Sequence, residues 1–203
     1  MSPLTVSSLN TTELDQAAFV VTKSFLDKPA DHIKAVWRGG NDKILKQNQH
    51  LFSLLLKSAN KEVYVVKDAQ EILAVYAIQH SRHCHLGLWQ QAKILLPMLR
   101  AVGSNLPRLI HWHDRWESVE PSEDHWHLSP MCVKPGAQGL GIGKLMLQHL
   151  CQLLDQRRGG GYLETGKWEN VLFYKKYGFT VQQEVNIYTA KTWTMWREPL
   201  LNE

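Results

Sequence analysis

The sequence predicts an α+β fold, and three observations support this prediction. Short strand-like runs are interspersed with longer segments whose apolar residues recur at helical spacing. Two of the strand-like runs, Val63–Val66 and Ile72–Ile78, are joined by a short polar segment, which predicts an antiparallel hairpin. A glycine-rich turn at 136–143 separates a strand-like run from an amphipathic run, which predicts a strand–turn–helix unit.

Length and composition predict a single domain over residues 1–203. The chain is 44% hydrophobic and 21% charged, with a net charge of +4 and dispersed basic residues, so we expect no nucleic-acid partner. The three cysteines form no CxxC motif, which favours a reducing, cytoplasmic location. We find neither a basic-then-apolar leader nor an apolar run of about 18 residues, so we expect neither export nor a membrane span.

The first half of the chain, about 1–124, begins with a predicted strand at Leu4–Leu9. Asn10 and Glu13 resemble a capping box ahead of a helix that ends before Pro29. A second helix is predicted from about Lys43 to Lys57, before the hairpin. The remaining elements predicted in this half are helices at 92–102 and 106–119.

The second half, about 125–203, begins with a predicted strand at His125–Val133. Pro130 cannot donate a ladder hydrogen bond, so we expect this strand to be interrupted or bulged there. The helix behind the glycine-rich turn runs to about Gln156, where two arginines and three glycines suit a helix C-terminus and its cap. The remaining predicted elements are a strand at Tyr162–Thr165, a helix at Asn170–Tyr177, and strands at Phe179–Val185 and Thr192–Arg197.

The glycine-rich turn is an expected anion site. The first N–H groups of a helix lack backbone partners and lie at the positive end of its dipole, and glycines let a phosphate approach them. The P-loop pattern fails because Gln138 replaces its first glycine and Leu145 replaces its Ser or Thr. The dinucleotide fingerprint fails because the third glycine comes one residue early. By itself, the turn leaves open which phosphate ligand binds, and whether any binds.

A second pattern lies downstream of this turn. Helical spacing places Asn170 and Tyr174 on one face of the predicted helix, and Phe173 precedes Tyr174. The order and spacing of two segments resemble the GCN5-related N-acetyltransferases (GNAT family): Val133-x-Pro135 followed by Gln138-Gly139-Leu140-Gly141-Ile142-Gly143, and then Asn170…Phe173-Tyr174…Gly178-Phe179. The resemblance covers roughly residues 128–179. The C-terminal third is further similar to the puromycin N-acetyltransferase branch.

The resemblance implies a GNAT-like mixed, mostly antiparallel central sheet of about six to seven strands, flanked by helices and splayed at a bulge near Pro130. It implies that the half from 125 to 203 binds acetyl-CoA and that the half from 1 to 124 contributes most of the acceptor pocket. Tyr174 would be the acid that protonates the leaving thiolate. The implied contacts to coenzyme A are Met131, Cys132, Val133, Gln138, Gly139, Leu140, Gly141, Ile142, Gly143, Lys144, Asn170, Phe173 and Tyr174.

The implied reaction is direct transfer of the acetyl group to a primary amine in a ternary complex. We expect a cytoplasmic enzyme, monomeric or homodimeric, that binds coenzyme A and a small-molecule or peptide amine, with neither nucleic acid nor membrane as a partner. Two alternatives stay open. One is a noncatalytic acyl-CoA sensor with the same fold, and the other is an O-acyltransferase or a transferase of longer acyl chains.

The sequence offers two candidates for the general base. Alkylammonium acceptors have a pKa of about 10.4, so a base or desolvation must favour the neutral amine. His125, His127 and Ser129 alternate onto one face of their strand, and a histidine with an ordinary pKa of about 6.5 suits proton acceptance. We therefore consider His127 a candidate, with Glu164 on the next strand as its rival.

Histidine and tryptophan are the unusual residues of this composition. Two histidines in an H-x-H pair can place both imidazoles on one side of a strand, as in some zinc sites. The pairs are His83/His85, His111/His113 and His125/His127. No cysteine or carboxylate cluster completes a ligand set in the sequence, so we expect no metal. The tryptophans that either line the acceptor pocket or belong to the core are Trp112, Trp116 and Trp126.

Overall fold

One seven-stranded sheet organises residues 4–84 and 88–200, which are those that the computed structural model describes. The strands are β1 (Val6–Ser8), β2 (Lys61–Asp68), β3 (Glu71–His80), β4 (His125–Val133), β5 (Gly160–Thr165), β6 (Thr180–Ile187) and β7 (Ala190–Arg197). Their order is β1-β2-β3-β4-β5-β7-β6, and β4–β5 is the parallel pair among antiparallel neighbours. The predicted α+β class and the mostly antiparallel sheet are confirmed.

Helices cover both faces of this sheet. They are α1 (Leu14–Asp27), α2 (Asp31–Val36), α3 (Asn41–Leu56), α4 (Leu88–Val102), α5 (Leu106–Glu117), α6 (Ile142–Arg157) and α7 (Trp168–Lys175). The apolar faces of α6 and α7 form one core layer, with Met146 and Val171 fully buried, while Ala18 and Val21 of α1 belong to the layer on the opposite face. None of the helices in the described ranges is long and apolar enough to cross a lipid bilayer.

A bulge at Ser129 and Pro130 reverses the face of the sheet to which the following side chains of β4 point. Across the β3–β4 ladder, Met131 pairs with Tyr76 and Leu128 pairs with Ile78, so two residues of β4 oppose one of β3. The predicted bulge near Pro130 is therefore confirmed. Because an extra residue reverses the alternation of side chains, Leu128 and Met131 both pack in the layer under α6.

The pairing of β4 with β5 stops early. Only three residue pairs join them, and the last of these is His127 with Tyr162. Beyond that point β5 pairs with β7 up to Thr165, and β4 pairs with β3 up to Val133. The two parallel strands therefore part in the middle of the sheet, as the resemblance implied.

Two local expectations were wrong. Helix α2 was not predicted, because its six residues are too few to show a helical period between Pro29 and Gly39. The glycines after α6 were expected to cap it, but Arg158 adopts the left-handed conformation there, with φ of 52°, and Gly160 and Gly161 begin β5. A Cβ at Gly160 would lie 2.5 Å from the ring of Trp196, so close packing requires glycine at this position.

We expect Gly160→Ala to destabilise the protein by about 1–3 kcal/mol, because the added methyl group must displace the Trp196 ring. Urea denaturation measures this difference. Gly143→Ala in helix α6 is the matched control. Its Cβ would lie 3.6 Å from the ring of Phe173, which is a normal van der Waals contact. Equal midpoints for the two variants would contradict the close-packing explanation.

Candidate active site

The turn between β4 and α6 exposes backbone donors. Gly139 and Gly141 have φ of 81° and 79°, in the left-handed region that favours glycine. A Cβ added to either residue meets no atom within 4 Å, so the space beside this backbone is open. Helix α6 begins at Ile142, and Gly141 supplies no side-chain cap. The first N–H groups of α6 are therefore available to an anion, with the helix dipole favouring negative charge.

The edge of β4 that faces β5 is open beyond His127. Lys134 N–H donates to the Leu73 carbonyl across the β3–β4 ladder, at 2.7 Å. Because backbone groups alternate in direction along a strand, the N–H and C=O groups of Met131 and Val133 face away from β3. The Ser24 hydroxyl donates to the Val133 carbonyl at 3.0 Å. An extended ligand lying along this edge could form hydrogen bonds with the backbone groups of Met131, as a neighbouring strand would.

A cavity of about 300 Å³ occupies the gap between the parted strands. It is lined from both faces of the sheet, as a gap through the sheet requires. The predicted cofactor residues that line it are Met131, Cys132, Val133, Gln138, Gly143, Asn170, Phe173 and Tyr174. The residues of α1 and α2 on the other side are Ser24, Phe25, His32 and Ile33.

Tyr174 stands in this cavity as a buried proton donor. Its hydroxyl donates to the sulfur of Met131 at 3.8 Å. Burial raises the pKa of Tyr174 above its ordinary value of 10, so the phenol keeps its proton at neutral pH. Asn170, one turn earlier, donates from Nδ2 to the Thr165 hydroxyl at 3.1 Å. This bond fixes the Asn170 amide beside the cavity.

A family model agrees with this geometry. The model described as "Acetyltransferase (GNAT) domain" matches residues 109–181, which include the glycine-rich turn, the parted strands and α7. Residues 109–181 of the chain are therefore similar to a GNAT domain. The similarity of its C-terminal third to the puromycin branch stays a prediction.

Solved acetyltransferase structures share the whole fold with this protein. One from Corynebacterium glutamicum, described as histone acetyltransferase HPA2 and related acetyltransferase, is 17% identical, with a TM-score of 0.69 and 98% of each chain covered. The ribosomal-protein-S18-alanine N-acetyltransferase of Escherichia coli is 15% identical, with a TM-score of 0.61 and coverage of 99% and 97%. The polyamine N-acetyltransferase of Drosophila melanogaster is 8% identical, with a TM-score of 0.67 and coverage of 97% and 100%. At these identities, the likeness shows the fold alone.

His127 and Glu164, the two candidates for the general base, contact each other. His127 Nε2 lies 2.8 Å from Glu164 Oε2. Burial lowers the pKa of His127, but the Glu164 carboxylate and hydrogen bonds to Cys84 and Glu164 outweigh this effect and hold the pKa above 6.5. The charged form is therefore favoured, and a charged imidazole has no lone pair for a proton. Neither residue is among those that line the cavity.

His32 is a cavity residue that the sequence did not single out. Its side chain is buried, and its Nδ1 has no hydrogen-bond partner among the described residues. Burial lowers the pKa of His32 to about 4, against a smaller opposing effect of Asp31, so the imidazole is neutral at pH 7. Its ring packs against Trp112 and Trp116, with centroids 5.4 Å away in both cases. In the sequence, His32 lies in the unpredicted α2, where no pattern marks it.

The tryptophans separate into two places. Trp112 and Trp116 pack behind His32 and do not line the cavity. Trp126 lies on the opposite face of the sheet, with the Arg157 guanidinium 4.2 Å above its ring. Of the H-x-H pairs, His125/His127 lies in β4 and His111/His113 in α5, while His85 lies outside the described residues.

We expect His32 to make the protein less stable in acid. Between pH 6.5 and 4 the unfolded chain binds a proton at this position that the folded chain excludes, so the free energy of unfolding falls as the pH falls. The lowered pKa of His32 corresponds to a decrease of about 2–3 kcal/mol in the free energy of unfolding at pH 4.5 relative to pH 7.5. Urea denaturation of the wild type and of His32→Gln at both pH values measures it. Parallel losses in the two proteins would show that His32 is not the cause.

Proposed function

We propose that this protein is an acetyl-CoA-dependent N-acetyltransferase that transfers the acetyl group directly to a primary amine in a ternary complex. The observation that carries the proposal is the cavity between the parted strands. It brings together an open strand edge, an uncapped helix N-terminus and a buried tyrosine that keeps its proton. The three cysteines are free, which supports a cytoplasmic location as part of this proposal.

Coenzyme A would lie across the second half of the domain. The backbone N–H groups from Gln138 to Lys144 would hold the pyrophosphate, because α6 offers unpaired donors there. The pantetheine would run beside Met131, Cys132 and Val133 and would pair with the backbone groups of Met131 on the open edge. Asn170 and Phe173 would contact the cofactor arm from α7, which lines the other wall of the cavity.

The proposed chemistry needs one nucleophile, one oxyanion site and one acid. The neutral amine attacks the thioester carbonyl, and the Met131 N–H on the open edge donates to the oxyanion. As the C–S bond breaks, the Tyr174 hydroxyl gives its proton to the leaving thiolate. Burial raises the pKa of the Cys132 thiol to about 12, so this thiol stays protonated in the cavity. A protonated thiol is a poor nucleophile, which supports direct transfer over an acyl-enzyme on Cys132.

We assign the general base to His32, with the His127–Glu164 pair as the competing assignment. His32 lines the cavity and is neutral at pH 7, so its lone pair can accept the proton that the attacking amine loses, directly or through one water. Its low pKa makes it a weak base, so desolvation of the acceptor in the cavity must also favour the neutral amine. His127 lies outside the cavity lining, and Glu164 holds it in the charged form.

The acceptor we favour carries a single amine. Lys28 and Lys167 line the same cavity as His32, and two ammonium groups disfavour a polycationic ligand in a partly enclosed site. A peptide N-terminus or a small monoamine fits this charge better than a polyamine does.

We expect Tyr174→Phe to lower kcat about 100-fold, because only the proton donor to the thiolate is removed. The dissociation constant for acetyl-CoA, measured by calorimetry, should stay within about threefold, since the ring that lines the cavity is kept. CoA release with a panel of amines measures turnover.

Three results would contradict the proposal in different ways. The absence of acetyl-CoA binding would overturn the cofactor site. Binding without CoA release for any amine would favour the acyl-CoA sensor. Faster release with hydroxyl acceptors or longer acyl donors would favour the other acyltransferases.

We expect His32→Gln to lower kcat/KM about 100-fold at pH 7. The loss should shrink towards pH 10, where much of the amine is already neutral and needs no base. His127→Gln is the comparison, and a larger, pH-dependent loss in that variant would move the assignment to the His127–Glu164 pair.

A further inference from the structure

A second cluster of reactive side chains lies outside the cavity, around His127. Its Nδ1 is 3.8 Å from the Cys84 sulfur and 3.8 Å from Glu120 Oε1. The three ligand atoms of Cys84, Glu120 and His127 all lie within 4.8 Å of one another. They come from the segment after β3, the segment after α5 and β4, so the fold brings together groups that are 36 and 7 residues apart in the chain.

The two spacings from His127 come close to those of a tetrahedral zinc ion, and the Cys84–Glu120 spacing is at most 4.8 Å. Zinc binds sulfur at about 2.3 Å, imidazole nitrogen at about 2.0–2.1 Å and carboxylate oxygen at about 2.0–2.2 Å. Tetrahedral angles then separate neighbouring ligand atoms by about 3.4–3.6 Å. The two distances from His127 exceed this range by a few tenths of an ångström, which small side-chain rotations would close.

The surrounding groups are arranged as they are around metal-bound histidines. While Nδ1 of His127 faces Cys84 and Glu120, Nε2 meets the Glu164 carboxylate at 2.8 Å. A carboxylate that receives the far N–H of a ligating histidine fixes the ring and raises its basicity. Glu120 is held in turn by His125, whose Nε2 lies 3.1 Å from Oε1.

The His125 ring is itself oriented from its other side. Its Nδ1 donates to the Glu123 carbonyl at 2.7 Å, because a carbonyl can only accept. Because the Glu120 carboxylate can also only accept, His125 holds this ligand by donation from Nε2 when the ring carries both protons. The Glu120 and His127 side chains are thus supported by further hydrogen bonds with His125 and Glu164, as ligands in protein metal sites usually are.

Burial and charge also favour a cation here. The side chains of Glu120 and Glu164 are 7% and 4% exposed, so two carboxylates lie out of water around one imidazole. Buried charges are stable when they are paired or bound to metal. Lys61 interacts electrostatically with Glu164 and donates to the Ser129 carbonyl at 3.0 Å. A divalent ion bound here would add a favourable charge beside both carboxylates.

We propose that Cys84, Glu120 and His127 bind one zinc ion, with a water as its fourth ligand. Binding replaces the proton of the Cys84 thiol and the Nδ1 proton of the charged His127 by the metal, and both protons are released to solvent. The ion would tie the segments after β3 and α5 to β4, beside the point where β4 and β5 part. Zinc binding does not depend on acetyl transfer and is measured on the free protein.

The test uses the full chain after treatment with a chelator. We expect the wild type to bind one equivalent of zinc in calorimetry, and its thermal midpoint to rise with zinc concentration, because a ligand of the folded state stabilises it. Cobalt, bound in place of zinc, should show a thiolate-to-metal charge-transfer band. Cys84→Ser and Glu120→Gln should each weaken zinc binding at least 10-fold, since even outer contacts of a metal site contribute this much.

Two matched controls separate this site from other ligands of the chain. Cys151→Ser removes a free cysteine elsewhere, and His113→Gln removes the histidine of an exposed group with Asp114 and Glu117. Both should bind zinc as the wild type does.

Three outcomes would overturn the proposal. They are the absence of stoichiometric zinc binding, equal affinities of Cys84→Ser and Cys151→Ser, and a cobalt spectrum without the thiolate band.

Incubation with acetyl-CoA provides a further check by mass spectrometry. An acetyl group on the Cys84 sulfur, with release of CoA, would instead identify this cysteine as a nucleophile beside His127. Because the cobalt spectrum is measured on the wild type, the proposal stays testable if a variant fails to fold.

Discussion

The early end of the β4–β5 ladder is the constraint on which the rest of the site depends. Three residue pairs hold the strands together, and beyond His127 each strand follows its other neighbour. Backbone groups that a continuous sheet would pair are left along β4, and the gap becomes a cavity through the sheet. Since unpaired backbone groups are costly unless a ligand or water meets them, a parted sheet is well suited to bind an extended ligand.

The bulge at Ser129 and Pro130 places His127 and Met131 of β4 on opposite faces of the sheet. Before the bulge, His127 points to the face that also carries Tyr162 and Glu164. After it, Met131 joins the layer under α6, close to Tyr174. One additional residue thus separates a buried polar cluster from the wall of the cavity. His127 lies where β4 still pairs with β5, before the strands part, and this position keeps it out of the cavity lining.

Charge and burial set different roles for the two histidines near the site. His32 has apolar and aromatic neighbours, so burial dominates and the neutral form is kept. His127 is buried as well, but Glu164 reverses the effect and the charged form is kept. The same type of side chain therefore serves as a proton acceptor in one place and as an ion-pair partner in the other, chiefly because of the Glu164 carboxylate beside His127.

The sequence by itself determined the fold class, most helices and strands, the bulge at Pro130, and the turn that ends in Gly139-x-Gly141. These features depend on short-range physics: the period of apolar residues, the missing N–H of proline and the left-handed backbone that glycine permits. The pairing of Asn170 and Tyr174 on one helix face is equally local. Gly160 shows the limit of such reasoning, since its role comes from Trp196, which is distant in sequence.

Only the tertiary structure decided which groups meet across the fold. His32 enters the cavity because the short helix α2 packs beside α5, and no sequence period marks six residues. Cys84, Glu120 and His127 come together because β3 ends and β4 begins at the same end of the sheet, and the segment after α5 leads into β4. Such contacts depend on the path of the whole chain and on its packing, and a local pattern cannot encode them.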